Sequence, residues 1–208
     1  FTTMGELYVE TGLNELRMSN YRRILSLDSA MVVVQFDKDG VQYQRKYFIS
    51  YPDSVMVMKF TANQSGKQNL ILSYCPNSEA KSNLRADGKD GLVYTGVLDN
   101  NGMKFAFRIK AIHKGGTLEA ENDRLIVKGA DEVVFLLTAD TDYKMNFNPD
   151  FKDPKTYVGN DPEQTTRIMM DQAVQKGYDE LYRNHEADHT ALFNRVRLQL
   201  NPDISSPN

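Results

Sequence analysis

Met31-Val32-Val33-Val34-Gln35-Phe36-Asp37-Lys38-Asp39-Gly40-Val41-Gln42-Tyr43-Gln44-Arg45-Lys46-Tyr47-Phe48-Ile49-Ser50 is the stretch that decides the fold. The apolar run Met31 to Phe36 stops at Asp37-Lys38-Asp39-Gly40, a polar turn ending in glycine. The chain then returns from Gln42 to Ser50 with Tyr43, Arg45 and Tyr47 on one face and Gln44, Lys46 and Phe48 on the other. Period-two alternation on both sides of a glycine turn is the signature of a β-hairpin.

The same grammar extends in both directions. Upstream, Glu6-Leu7-Tyr8-Val9-Glu10 alternates like a strand. Downstream, Val55 to Phe60 and Leu70 to Tyr74 are strand-like and are separated by Asn63-Gln64-Ser65-Gly66. Leu92 to Leu98, the turn Asp99-Asn100-Asn101-Gly102 and Lys104 to Lys110 form another hairpin, in which Asn-Gly supplies the positive φ of a tight turn. Gly115-Gly116 and Glu121-Asn122-Asp123 punctuate two short strands, and Glu132 to Ala139 is the last long one. Ten or so strands at this spacing, with no helix between them, predict an antiparallel sandwich.

The pattern changes after Tyr143. Residues 144–161 hold two of the seven prolines, several Asn and Asp, and little periodicity, so they read as a long loop. From Pro162 the period is helical: Asp161 is placed to cap, with Pro162 at the first helical position. Ile168, Ala173 and Val174 are expected to line one face up to Gly177. A second helix, from Tyr178 to about Phe193, should turn Leu181, His185 and Leu192 inward. Val196-Arg197-Leu198-Gln199-Leu200 alternates like one more strand. The expected organisation is therefore a β-sandwich over 1–143, a loop over 144–161, a helical linker over 162–194, and a returning strand and tail over 195–208.

Composition narrows the chemistry. At 208 residues, 40% hydrophobic and 25% charged, this is an ordinary globular composition, and a β domain of this length can be undivided. A net charge of -3 gives no general attraction to nucleic acid. No apolar run approaches the roughly 20 residues that cross a bilayer. One cysteine, Cys75, excludes an internal disulfide, and before Pro76 it reads as a small apolar residue rather than a reactive thiol. Phe1-Thr2-Thr3-Met4 carries neither an initiator Met nor a signal pattern and runs straight into a strand, so a longer parent chain is expected.

His185-Glu186-Ala187-Asp188-His189 matches the H-E-x-x-H pattern of zinc peptidases, in which two His one helical turn apart face a metal and the Glu polarises its water. A third ligand is wanting: residues 190–208 contain no His or Glu, only Asp203, and His113 lies in a strand. The competing reading is a solvated helix carrying one or two packed histidines. Asp37/Asp39 and Asp87/Asp90 are carboxylate pairs of the kind glycosidases use, but each sits in a glycine turn where Asp is expected for local hydrogen bonding. Gly88-Lys89-Asp90-Gly91 and Gly115-Gly116 are too short for a phosphate loop. The 11 Tyr and 10 Phe could include a sugar platform, though the absence of Trp weakens that reading. Asn63-Gln64-Ser65 is a formal glycosylation sequon. No position is assigned as catalytic, cofactor-binding or metal-ligating.

Taken in order, the chain resembles the N-terminal domain of glycoside hydrolase family 95, the α-L-fucosidase-like enzymes, whose plan is shared with the maltose-phosphorylase relatives. The resemblance rests on Gly5-Glu6-Leu7, Tyr21-Arg22-Arg23-Ile24-Leu25-Ser26-Leu27-Asp28 with Ala30, Tyr43 to Ser50, and Pro52-Asp53-Ser54-Val55. It continues through Gly115-Gly116, Ala139-Asp140-Thr141-Asp142-Tyr143, Asp153-Pro154 and Gly177-Tyr178. It closes on Leu181, His185, Asp188-His189 and Leu192-Phe193-Asn194-Arg195-Val196. Lys46 stands where the family commonly has Glu, and His189 where it commonly has Tyr. The second departure makes the zinc-like motif a by-product of a Tyr-to-His change beside His185.

The resemblance implies a super-β-sandwich followed by a two-helix linker, and beyond it an (α/α)6 barrel that carries the catalytic residues. The chain is then expected to be a non-catalytic accessory domain whose partner is that barrel. The parent would hydrolyse terminal α-linked L-fucose or a related sugar, without a cofactor. It would be secreted by a bacterium to the periplasm or cell surface. A free-standing module that binds fucosylated glycan is the rival expectation. Tyr21, Arg23, Tyr43 and Arg45 are expected to combine aromatic packing with charged hydrogen bonds, and Leu181, Leu192 and Phe193 to pin the helices to the sandwich.

Overall fold

A computed structural model describes residues 4–14, 16–76, 80–121, 123–153 and 155–196. Within them lie twelve strands and one helical element. The strands are β1 (Gly5–Glu10), β2 (Met18–Ser26), β3 (Met31–Lys38), β4 (Val41–Ser50), β5 (Val55–Ala62) and β6 (Gln68–Pro76). They continue as β7 (Ala80–Ala86), β8 (Gly91–Leu98), β9 (Lys104–Lys114), β10 (Thr117–Glu121), β11 (Arg124–Ala130) and β12 (Glu132–Thr141). Helix α1 spans Pro162–Phe193. An eight-stranded sheet, ordered β2-β3-β4-β5-β12-β9-β8-β7, faces a four-stranded sheet ordered β1-β6-β11-β10. All strand pairs among the described residues are antiparallel.

The eight-stranded sheet buries both faces, which explains why β3 reads as a continuous apolar run. Phe60, Tyr94, Phe105, Phe107, Ile109 and Phe135 look toward Leu70, Leu72, Tyr74, Leu125 and Val127 of the smaller sheet and form the main core. On the opposite face, Met31, Phe48, Val55, Val57, Val134 and Leu136 meet Met170, Ala173 and Leu181 of α1. Adjacent residues of β4 therefore serve different cores: Tyr47 packs into the sandwich and Phe48 under the helix. That is the alternation read from the sequence.

Two strands escaped that reading, β2 and β7. They are the two edges of the eight-stranded sheet. Both are exposed over most of their length, so neither needs the apolar alternation by which strands are recognised. A bulge between Ser19 and Arg22, with Asn20 at φ 52°, blurs the pattern of β2 further.

The two helices expected on either side of Gly177 run on as one element broken at that residue alone. Its φ of 73° and ψ of 172° lie far from helical values and in the region that favours glycine. The described residues of 144–161 form a loop tied down by a bridge between Tyr143 and Val158 and by Gly159 N–H donating to the Asp142 carbonyl at 2.6 Å. The strand expected over 196–200 lies outside the described residues apart from Val196. No helix among the described residues is long and apolar enough to cross a membrane.

Candidate functional site: the seat of the long helix

Helix α1 is built to be fastened along its length. Its first turn is closed by Asp161, whose carboxylate accepts from Glu163 N–H at 3.1 Å, with Pro162 at the start where its missing N–H costs nothing. Glu163 reaches Arg85 of β7 at 2.6 Å. Thr166 is buried, and its carbonyl accepts from the Thr138 hydroxyl of β12 at 3.0 Å. Met170 and Ala173 then enter the apolar seat. Ile168, expected on this face, is half exposed instead; the buried positions 162, 166, 170 and 173 follow the helical repeat, and 168 falls outside it.

At the kink, polar chemistry takes over. The Asp53 carboxylate, in the β4–β5 turn, has a side chain only 2% exposed. It accepts from Ser50 Oγ at 2.6 Å, Lys176 Nζ at 2.7 Å and Asn184 Nδ2 at 3.1 Å. Lys176 precedes Gly177 and Asn184 follows it, so one carboxylate holds both halves of the helix. Burial alone would raise the Asp53 pKa, but hydrogen bonds from Lys176, Ser50 and Asn184 outweigh it and hold the carboxyl below its ordinary value. Lys59 lies 4.2 Å from the centre of the Tyr178 ring, a cation–π contact. It also joins Lys114 in pairing with Glu132, at 2.8 and 3.1 Å. For Glu132, too, the opposing effect of burial is outweighed by the two lysines, and its pKa is lowered.

Beyond the kink, Phe48 sits among Tyr178, Tyr182 and His185, with ring centres 5.8, 5.8 and 4.9 Å away. Burial pushes the Tyr178 hydroxyl up to about 12. His185 Nε2 lies 3.2 and 3.1 Å from the carbonyl oxygens of Ser29 and Ala30, and His189 Nε2 lies 2.6 Å from that of Leu27. A carbonyl can only accept, so both Nε2 atoms carry the proton and donate it to the β2–β3 turn. Glu186 accepts from the Tyr182 hydroxyl at 3.0 Å. The two histidines of the zinc-like pattern are thus clamps on a turn, and no cluster of three or more metal-ligating side chains forms among the described residues. Asp203, the only carboxylate near the end of the sequence, lies outside them.

The remaining candidates are dispersed. Asp87 pairs with buried Arg108, and Asp90 with Lys110 at 3.2 Å, pinning the β7–β8 turn to β9. Asp37 accepts from Asn20 at 2.6 Å, and Asp39 lies beside Lys38 at 3.8 Å. Gly116 has φ of 66°, and a Cβ there would fall 2.2 Å from the Lys128 carbonyl, so its role is close backbone approach in a turn. His113 Nδ1 lies 2.8 Å from the Gly115 carbonyl. Asn63 of the sequon accepts from Gln42 N–H at 2.9 Å.

Some expectations need correcting. Cys75 is exposed at the end of β6 and is not a packed apolar residue. Leu192 and Phe193 are 56% and 41% exposed, because the sheet ends before the helix does; only Leu181 of the three pins the helix. Tyr43 and Arg45 do pack on aromatic rings, but Tyr21 and Arg23 lie exposed on the edge strand β2. The Asp53 hub went unread because Ser50, Asp53, Lys176 and Asn184 are ordinary polar residues up to 134 positions apart. The only trace was the Pro52-Asp53-Ser54-Val55 fragment of the resemblance.

A family model described as Glycosyl hydrolase family 65, N-terminal domain, matches residues 1–146. A Probable alpha-fucosidase A of Aspergillus niger is 28% identical over 98% of this chain, which spans 26% of that protein. An Alpha-L-fucosidase 2 of Arabidopsis thaliana is 26% identical over 96% of the chain, again spanning 26% of the relative. Among solved structures, a Putative kojibiose phosphorylase from human microbiome superposes with a TM-score of 0.61 at 10% identity, over 90% of this chain and 27% of that one. The last likeness concerns fold alone. Both curated relatives carry the fucosidase name to which the residue-by-residue resemblance pointed. The chain belongs to the family of glycosyl hydrolase family 65 N-terminal domains.

Proposed function

We propose that this chain is the non-catalytic accessory domain of a larger glycoside hydrolase, and that α1 is the seat on which a following (α/α)6 catalytic barrel rests. One observation carries the reading. The helix is locked to the sandwich by directional contacts at Asp53, His185 and His189, yet leaves Ile168 exposed on its outer side and Leu192 and Phe193 exposed in its last turn. A helix fastened from beneath by directional contacts is suited to transmit a fixed orientation to whatever packs on it. The names of the curated relatives support hydrolysis of terminal α-L-fucosides or a related sugar by the parent. Export to the periplasm or surface of a bacterium is part of the same proposal. The purified 208-residue chain should fold and leave an aryl α-L-fucoside intact, while the full-length protein releases the aryl group. Turnover by the isolated chain would sink the accessory role.

A second reading has its own support. Phe147 and Phe151 are 94% and 87% exposed on the 144–161 loop, where Asn146 and Thr156 tie the backbone together. Two rings presented on an ordered loop could stack on a glycan. Calorimetry with fucosylated oligosaccharides separates this reading from the first. Binding that survives in the isolated chain and is lost in Phe147→Ala favours a glycan-binding module.

A further inference from the structure

Between the two sheets, where the core reaches its edge, there is a pocket of about 10 Å³. A cavity of that size has room for one water or one small ion. The segment Thr11–Leu13 closes it from outside, and Tyr43, Arg45 and Phe60 of the large sheet face Gln68 and Leu70 of the small one. Three features of its lining agree. First, the lining among the described residues contains two cations, Arg45 and Lys67, and no carboxylate. Second, Gln68 is 4% exposed, and its buried Nε2 has no acceptor. Third, the Arg45 guanidinium lies 5.1 and 5.8 Å from the ring centres of Phe36 and Phe60, and no carboxylate among the described residues lies within ion-pair distance of it.

The orphaned Gln68 donor carries a cost that an acceptor in the void would relieve. The half-buried Arg45 guanidinium beside it, with no carboxylate partner among the described residues, favours a negative charge over a neutral acceptor. A water could accept from Gln68 but would leave the charge of Arg45 uncompensated. We propose that this pocket is a binding site for one small monovalent anion of halide size. The anion is held by the Arg45 guanidinium and the Gln68 carboxamide N–H, with Lys67 adding positive potential from the wall. Occupancy would tie the Thr11–Leu13 segment and the two sheets together at the end of the sandwich remote from the carbonyl clamps of the helix.

Bromide is the probe, because it scatters anomalously and substitutes for chloride. Crystals of the 208-residue chain grown in bromide should show an anomalous peak in the pocket, and Arg45→Gln should abolish it. In solution, replacing an inert large anion by chloride at constant ionic strength should raise Tm with a saturable, millimolar dependence. Arg45→Gln should remove that dependence. If Arg45→Gln fails to fold, Gln68→Met removes the second donor at similar volume and should weaken the chloride dependence several-fold. Water density without a bromide signal overturns the proposal. So does a peak unchanged in the folded variant, or bromide in the crystal with no chloride dependence of Tm in solution.

Discussion

The two faces of the eight-stranded sheet are held by different physics. Against the four-stranded sheet, the contacts are apolar and aromatic: Tyr74 stacks on Phe107 at 4.8 Å and lies tilted against Tyr94 at 4.9 Å, and Leu72 and Leu125 are fully buried. Against α1, an apolar strip is bounded by the Asp53 hub, the Thr138–Thr166 bond and two histidines on backbone carbonyls. Apolar burial is strong and tolerant of small shifts, whereas hydrogen bonds are modest in net energy and demanding in geometry. The sandwich face supplies the bulk of the stability. The helix face fixes where, and at what angle, the helix lies.

The largest break in that comparison should come from the sandwich side. Phe135→Ala empties a fully buried site in the main core and should cost about 3–5 kcal/mol. Chemical denaturation should report it as one cooperative loss, with sandwich and helix melting together. If the helix alone came loose, the division of labour drawn above would be wrong.

Asp53→Ala comes next. It deletes the acceptor of three donors on two elements and should cost about 2–3 kcal/mol, the scale for charge-assisted hydrogen bonds left unmade. Its signature is local. Hydrogen exchange should accelerate over 178–193 while β5, β9 and β12 keep their protection. The carboxyls of Asp53 and Glu132 both titrate below their ordinary values. A depressed folded-state pKa contributes stability that is full above the unfolded pKa and lost as pH falls through the folded one. The wild type should therefore lose stability on acidification more steeply than Asp53→Asn or Glu132→Gln. Parallel acid limbs in all three would remove these groups from the account.

How much of this was legible in sequence follows the same division. The sandwich announces itself because apolar burial writes period-two patterns, and Tyr43 to Phe48 could be assigned to opposite faces from alternation alone. The edge strands β2 and β7 have little to bury and leave no such mark. The start of α1 was readable from Asp161-Pro162 and its break from Gly177, since both are local backbone chemistry. The hub was not, because a carboxylate bound by residues more than 120 positions away has no local signal. The histidines were ambiguous for the opposite reason: spacing that would suit a metal equally suits the carbonyls of one turn.

The smallest effect tests the kink itself. Gly177 has φ of 73°, and nothing lies within 4 Å of where a Cβ would stand. Substituting Ala therefore meets no steric obstacle, only the conformational preference of an L-residue against the left-handed region. Gly177→Ala should cost about 1–2 kcal/mol if the kink persists. The mutation also offers the chain an alternative, a straight helix through 177. Straightening would separate Lys176 from Asn184 relative to the fixed Asp53 carboxylate and pull His185 and His189 from the β2–β3 turn. If the polar contacts set the helix path, they should hold the kink, and the imidazole NMR signals of both histidines should stay at wild-type positions. If those signals move while the fold survives, glycine rather than the Asp53 hub sets the angle at which the helix is presented.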